Sequence, residues 1–387
     1  MRILMSLHAS LTVPGGATGV TCALGETYRR AGHEVHYHSF DDLPGRFPAQ
    51  LRYALFASTL ARRVASLQRS APLDIIDAST GDASVLLALK PLRRTRPAIL
   101  TRSHGLEHTA HAVYKSVLAE FGDAPSWKYP LYHGGPRLRE VAYTLRHSDE
   151  AMFLNECDRQ YAVREIGVAH GRTTVLSNGI DDALLGLAVD YTTSEGDALG
   201  IAQIGSYLRG KGIKHGADAL GSLLARRPEV HVTFLGTGCD PARVLADFAP
   251  VLHDRIRVVP RYERGNLPQF LDGHQIKFFP TYSEGCSLAL LEAMACGLAP
   301  VTTDTPGTTA VVTNDETGLI VPPRDAMALM RAVDRLADDR QLLARLRRAA
   351  HRSAQRYRWS DIADETLAIY ARARQLGSSP GPRTNRA

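Results

Sequence analysis

QIKFFPTYSEGCSLALLEAMACGLAPVTTD, residues 275–304, runs from an apolar segment through a polar loop and a helical stretch to a second apolar segment. QIKFFP and APVTTD are short, and both have the composition of strands buried on both faces. Between them, SLALLEAMACG carries Leu288, Leu291 and Ala295 at helical spacing and stops at Gly297. Strand, crossover helix and parallel strand make one βαβ unit, the building block of an α/β protein. Two acids mark it: Glu284 in the loop and Glu292 inside the helix.

The same alternation continues in both directions. RILMSL, HEVHYHSF, LDIIDAS, AILTRSH, EAMFLN and TTVLSN read as one series of strands, and LGIAQIG, VHVTFLG, RIRVVP, QIKFFP, APVTTD and GLIVPP as a second. Amphipathic stretches such as VTCALGETYRRAG and GADALGSLLARR lie between them. The pattern predicts two doubly wound, Rossmann-like domains with parallel sheets covered by helices. The first is expected over 1–185 and the second over 200–359. The polar linker 186–199, within GLAVDYTTSEGDALG, separates them, and GSSPGPRTNRA closes the chain as a disordered tail over 377–387.

Composition agrees with two domains. The 387 residues exceed one ordinary core, and 44% hydrophobic with 22% charged content is that of a globular protein. No apolar run reaches the ~18 residues of a bilayer span, and MRILMSL reads as a first strand rather than a signal peptide. The expected compartment is the cytoplasm, with the inner membrane face as a possible docking surface. The net charge of +6 and the basic cluster PLRRTRPA allow contact with anionic lipid, but no motif for nucleic acid accompanies them. Cys22, Cys157, Cys239, Cys286 and Cys296 are scattered, without a CxxC, and read as reduced, mostly buried thiols.

In parallel sheets ligands sit beyond the carboxyl ends of the strands, so the loops there are the candidate chemistry. Glu284 precedes a helix whose first N–H groups, near Gly285, Cys286, Ser287 and Leu288, form an anion site. Glu292 is placed to accept hydrogen bonds from a vicinal diol. IGSYLRGKGI sets Gly205, Ser206, Arg209 and Lys211 in a loop after another strand. VPGGATGV supplies Gly15, Gly16 and Gly19 before the first helix, where a backbone can approach a phosphate closely. A nicotinamide site there, with Asp41 after the second strand, lacks the GxGxxG spacing.

EGCSLALLEAMACGLAPVTTD resembles the E-x7-E signature of retaining glycosyltransferase family 4, whose fold is GT-B. PGGATGV, LSNGID, IGSYLRGKGI, FLGTG, ETGLIVPPRD and YRWSDIA resemble the family's other elements in order, over nearly the whole chain. Departures are Cys286 and Ser287 for an aromatic and a glycine, Ser206 for an arginine, and Ala310 for a glutamate. The resemblance implies sugar transfer from a nucleotide-diphosphate sugar, UDP- or GDP-linked, to an acceptor hydroxyl on a glycan, a lipid-linked acceptor or a small molecule, with retention. It places the donor on the C-terminal domain and the acceptor on the N-terminal one, with residues 360–376 packing back on the latter. Glu284 would then contact the transferred sugar and Glu292 the ribose. Lys211 and Arg209 would steady the diphosphate, Arg209 standing in for the arginine missing at Ser206. Gly15, Gly16 and the 285–288 segment would help through their backbone, and His104 would face the sugar. Alternatives are a GT-B phosphorylase, a sugar-nucleotide epimerase or a non-catalytic binding protein.

The chain contains no D-x-D pair, and no essential metal or cofactor is expected beyond the sugar nucleotide. HGLEH, 104–108, matches the H-x-x-E-H zinc motif, which needs both histidines on one helical face. The β-rich AILTRSHG instead places His104 at a strand end. In APSWKYPLYHGGPRLRE, Trp127, Tyr129 and Tyr132 either stack on an acceptor sugar or plug the core.

Overall fold

The computed structural model describes residues 1–12, 15–89, 97–192 and 198–378. Val13 and Pro14 of the first glycine loop, residues 91–96 of the basic cluster, 193–197 of the expected linker and 379–387 of the tail lie outside the described residues. The chain forms two compact units.

Unit 1 comprises Met1–Ala112, Ala124–Gly179 and Trp359–Ala387. Its strands are β1 (Arg2–Leu7), β2 (Glu34–Ser39), β3 (Ile75–Ser79), β4 (Ala98–Arg102), β5 (Glu150–Phe153) and β6 (Thr173–Val175). They pair in parallel in the order β2-β1-β3-β4-β5-β6. Neighbours Ile3 and Leu4, like Ile75 and Ile76, are completely buried, so both faces of the sheet are covered. Each such side chain contributes ~1.5–3 kcal/mol of burial. The strand order turns back at β1 and β3, which makes the crevice beyond their carboxyl ends the switch point of this sheet.

The Trp359–Ser378 helix belongs to unit 1. Its Tyr370 hydroxyl donates to Asp77 Oδ2 at 2.5 Å, and its ring meets Tyr28 edge-on at 5.8 Å. Asp77, on β3, also takes Arg102 Nη2 at 2.8 Å. All three side chains are buried, so the carboxylate, guanidinium and hydroxyl depend on one another for partners. Tyr370→Phe is expected to cost about 1.5–3 kcal/mol, the value of one buried bond to a charged group. Chemical denaturation at neutral pH measures it, and an unchanged midpoint would remove this helix's polar anchor.

Unit 2 comprises Val113–Asp123 and Ile180–Arg358. Its strands are β7 (Leu199–Ile204), β8 (Val230–Leu235), β9 (Ile256–Val259), β10 (Ile276–Phe279), β11 (Ala299–Thr303) and β12 (Leu319–Val321). They pair in parallel in the order β12-β11-β10-β7-β8-β9. Leu199, Ile201, Phe278 and Val301 pack with Leu220, Leu329 and Leu343 in its main core. The switch point falls between β7 and β10.

Residues 113–123 group with unit 2, although in sequence they sit inside the first strand series. Side chains of unit 2 hold them: Arg324 donates to Glu120 at 2.8 Å and to Ser116 at 2.7 Å, and Arg209 pairs with Asp123. The cysteines also differ from expectation. None of the five is in a disulfide, but only Cys286 is buried and Cys157 is exposed, because the others fall on helix faces or loops at the edge of the packing.

Candidate active site

In unit 2 the chain leaves β7 at Gly205, whose φ of +127° favours glycine and whose missing Cβ would meet nothing within 4 Å. Its N–H donates to Leu235 O at 2.8 Å, so the turn is tied down while its outer side stays open. Ser206 follows, half-buried, and Arg209–Lys211 form one 3-10 turn. Gly212, at φ +70°, then starts the Ile213–Arg226 helix. A Cβ on Gly212 would collide with the Pro280 carbonyl, so glycine lets this turn pack against the loop that follows β10. Tyr282 N–H donates to Gly210 O at 3.1 Å and fastens the two loops together.

That fastening brings Lys211 onto Glu284. Nζ of the lysine pairs with Oε1 of the carboxylate, and Thr281 Oγ1 lies 3.2 Å from the same oxygen. The Glu284 side chain is 12% exposed and that of Lys211 34%, so the pair is sheltered yet accessible. The loop backbone also crowds Gly307, where a Cβ would collide with the Glu284 carbonyl. After Gly285 and the buried Cys286, the Leu288–Ala295 helix begins with Ser287 as its cap; Ser287 Oγ accepts the Leu290 N–H at 3.3 Å. This helix buries a different set from the predicted stripe: Leu288 is only half-buried, whereas Leu290 through Ala295 are all buried, because it packs against both its sheet and the Arg340–Ala354 helix.

Glu292 is among those buried residues, at 3% exposure, and pairs with Arg264 from the turn after β9. Burial pushes its carboxyl above the usual carboxylate range, and the Arg264 guanidinium opposes that shift. Arg209 takes a different course from Lys211. Its guanidinium pairs with Asp123 and lies 4.3 Å from the centre of the Phe121 ring.

Unit 1 holds the remaining candidates. Gly15 (φ +123°) caps the Gly16–Arg30 helix, Gly16 (φ +49°) opens it, and a Cβ at either would meet nothing within 4 Å. Asp41 is occupied locally, accepting from Ser10 Oγ at 2.6 Å and Leu11 N–H at 2.8 Å, so it braces this loop rather than awaiting a ribose. His104 follows β4 and precedes the Glu107–Glu120 helix, so His104 and His108 do not share a helical face, and the H-x-x-E-H geometry is not formed. Burial, reinforced by Arg102, lowers the His104 imidazole to about 4, which leaves it neutral at physiological pH. Trp127 is 75% exposed and plugs no core. Tyr129 stacks on His111 and bonds it at 2.9 Å, while Tyr132 packs against Tyr53 and His133.

Several residues here carried no role in the sequence reading. At the unit 1 switch point His8 Nδ1 lies 2.7 Å from Asp82 Oδ1, and Ser6 Oγ donates to Asp82 Oδ2 at 3.0 Å. Arg137 Nη2 reaches the same imidazole at 3.2 Å and lies 3.5 Å from Glu107. These groups are scattered singly along the chain, and no local pattern marks them. Arg264 is equally silent in sequence. Lys277 was visible as one charge inside the apolar run QIKFFP.

Residues 14–184 match the family described as Glycosyltransferase Family 4, and residues 192–353 match Glycosyl transferases group 1. A D-inositol 3-phosphate glycosyltransferase of Jonesia denitrificans is 26% identical over 298 residues, 70% of this chain and 67% of that protein. Three further proteins of that name match over 29%, 39% and 36% of their own length. Among solved structures, sucrose-phosphate synthase of Thermosynechococcus elongatus superposes with a TM-score of 0.77 at 19% identity, covering 98% of this chain and 100% of that one. Anabaena HepE in complex with UDP-glucose gives 0.67 at 18% identity, covering 95% and 99%.

Proposed function

The chain belongs to the glycosyltransferases of GT-B fold and family 4 type, and on that premise we propose that it transfers a sugar, with retention, from a nucleotide-diphosphate sugar to an acceptor hydroxyl. The observation that carries the reading is the Lys211–Glu284 pair beside the open backbone of Gly205, at the switch point of β7 and β10. There the ammonium steadies the diphosphate as the glycosidic bond breaks and negative charge grows on the leaving oxygen. The N–H groups at the start of the Leu288–Ala295 helix add to that field. Glu284 accepts hydrogen bonds from the transferred sugar, and Glu292 from the ribose. The departing phosphate takes the proton of the attacking hydroxyl, so the protein acts by positioning and electrostatics. No divalent metal is required on this reading, since cation and helix start supply the charge.

The donor on this reading is a UDP- or GDP-sugar. The acceptor is a glycan, a lipid-linked acceptor or a small polyol, bound by unit 1 near His8, Glu107 and Tyr132. Incubating the protein with UDP-glucose, GDP-mannose or ADP-glucose, with and without acceptor and with EDTA, tests the proposal. A product with the donor's anomeric configuration is expected; epimerised donor without acceptor, or an inverted product, would reject it. Because Asp123 holds Arg209, Arg209→Ala is expected to lower turnover less than about tenfold, the scale of a screened surface cation. A loss matching that of Lys211→Ala would restore Arg209 to the diphosphate.

A further inference from the structure

We infer that Lys277 is a buried counter-charge of the donor site, taking up a proton from solvent when an anionic diphosphate docks over the β7–β10 crevice. The inference rests on the donor reading above. Lys277 is 0% exposed on a central strand. Its neighbours Ile276 and Phe278 point into the main core of unit 2. Strand alternation therefore turns Lys277 to the opposite face of the sheet. Its Nζ donates to Ile204 O at 3.3 Å, the last carbonyl of β7 before Gly205, and lies 3.5 Å from Phe278 O. Nζ thus bridges β10 to the end of β7 at the switch point, one residue from the turn that opens toward the proposed phosphates. Lys211 and Lys277 also share the Phe279 ring, their nitrogens 6.0 and 4.7 Å from its centre.

No carboxylate among the described residues pairs directly with Lys277; its bonds go to carbonyls. Charged groups act on it from three sides: Glu284 from the loop after β10, Lys211 from the turn after β7 and Glu292 from the Leu288–Ala295 helix. Burial lowers its pKa to about 7, against the weaker pull of Glu284 upward. A lysine so placed costs stability in the free protein, and an aliphatic side chain would fill the strand position without that cost. An arriving diphosphate changes the balance, because its charge favours the ammonium over the amine. The fraction of Lys277 present as the amine then takes up its proton from the buffer, and no bond is broken.

Calorimetry of UDP-glucose, GDP-mannose and ADP-glucose, in buffers of different ionisation enthalpy at pH 8, tests this with the wild type and Lys277→Met. The pyrophosphate of these donors carries no proton that titrates near neutrality. Wild type is expected to take up a fraction of a proton on binding, and its affinity to fall about tenfold between pH 6 and 9 for each unit by which the ligand raises the lysine's pKa. Lys277→Met should lose both effects, and the wild-type to variant difference removes any contribution from Glu292. The free variant should be more stable than wild type at pH 7, with the gap closing toward pH 10.5. This follows because a depressed lysine pKa penalises the fold below the unfolded value and ceases to do so above it. Equal proton uptake in wild type and variant, or none in the wild type, overturns the inference while leaving the donor reading intact. Failure of all three donors to bind the wild type overturns the donor reading and the inference with it.

Discussion

Lys211→Ala is expected to lower turnover by about two to three orders of magnitude, the cost of about 3–4 kcal/mol when one well-aimed donor to a developing anion is removed. The fold should survive, because the Lys211 side chain is one-third exposed and the turn that carries it is held by backbone. Gly212 packed on Pro280 and the Tyr282 N–H on Gly210 O keep both loops in place without it. Glu284 would lose its cation but keep Thr281 Oγ1 at 3.2 Å, so its carboxylate stays near the same position. The loss should therefore fall on kcat more than on donor affinity, since the charge that Lys211 meets is larger in the transition state than in the bound donor. Steady-state kinetics with circular dichroism on the same samples checks this. Turnover near that of the wild type, in a folded variant, would remove Lys211 from the reaction.

Glu292→Ala should act differently, weakening nucleotide binding about 10- to 100-fold, as expected for losing charge-assisted hydrogen bonds worth about 1.5–3 kcal/mol. Glu292 is buried on a helix, yet its partner Arg264 is 34% exposed and can be solvated once alone. The fold should accordingly lose less than it would from breaking a fully buried pair. Titration with UDP and with inorganic pyrophosphate separates the roles: UDP should weaken, whereas pyrophosphate, which has no ribose, should not. Wild-type affinity for UDP should also fall as pH drops through the raised pKa of Glu292, because the protonated acid accepts less well from a diol. Unchanged UDP affinity in the variant would end the ribose assignment.

All twelve strands read from the sequence are strands in the structure, and the reason is local. A strand buried on both faces must be apolar at consecutive positions, as Ile75 and Ile76 are, and its helix must repeat near every third or fourth residue. Glycines were legible for a similar reason. Gly205 and Gly212 mark turns of positive φ, which side chains disfavour. Lys211 and Glu284 could be nominated because they sit beside such turns and match a family pattern. Their direct pairing was not legible, since it depends on β7 and β10 lying side by side.

The sequence by itself determined what each segment becomes: two series of parallel strands, the glycine turns after β7 and before the first helix, and an acid on either side of a helix start. Hydrophobic period and backbone sterics act within a few residues, so they can be read along the chain. Tertiary structure alone decided which side chains meet. It sent Arg209 to Asp123 and left Lys211 for Glu284, set Arg264 against Glu292, and placed His8 on Asp82 and Lys277 on the Ile204 carbonyl next to Gly205. These partners lie tens of residues apart. Charge and hydrogen-bond energies depend on distances of a few ångströms, which only the order of strands in each sheet defines.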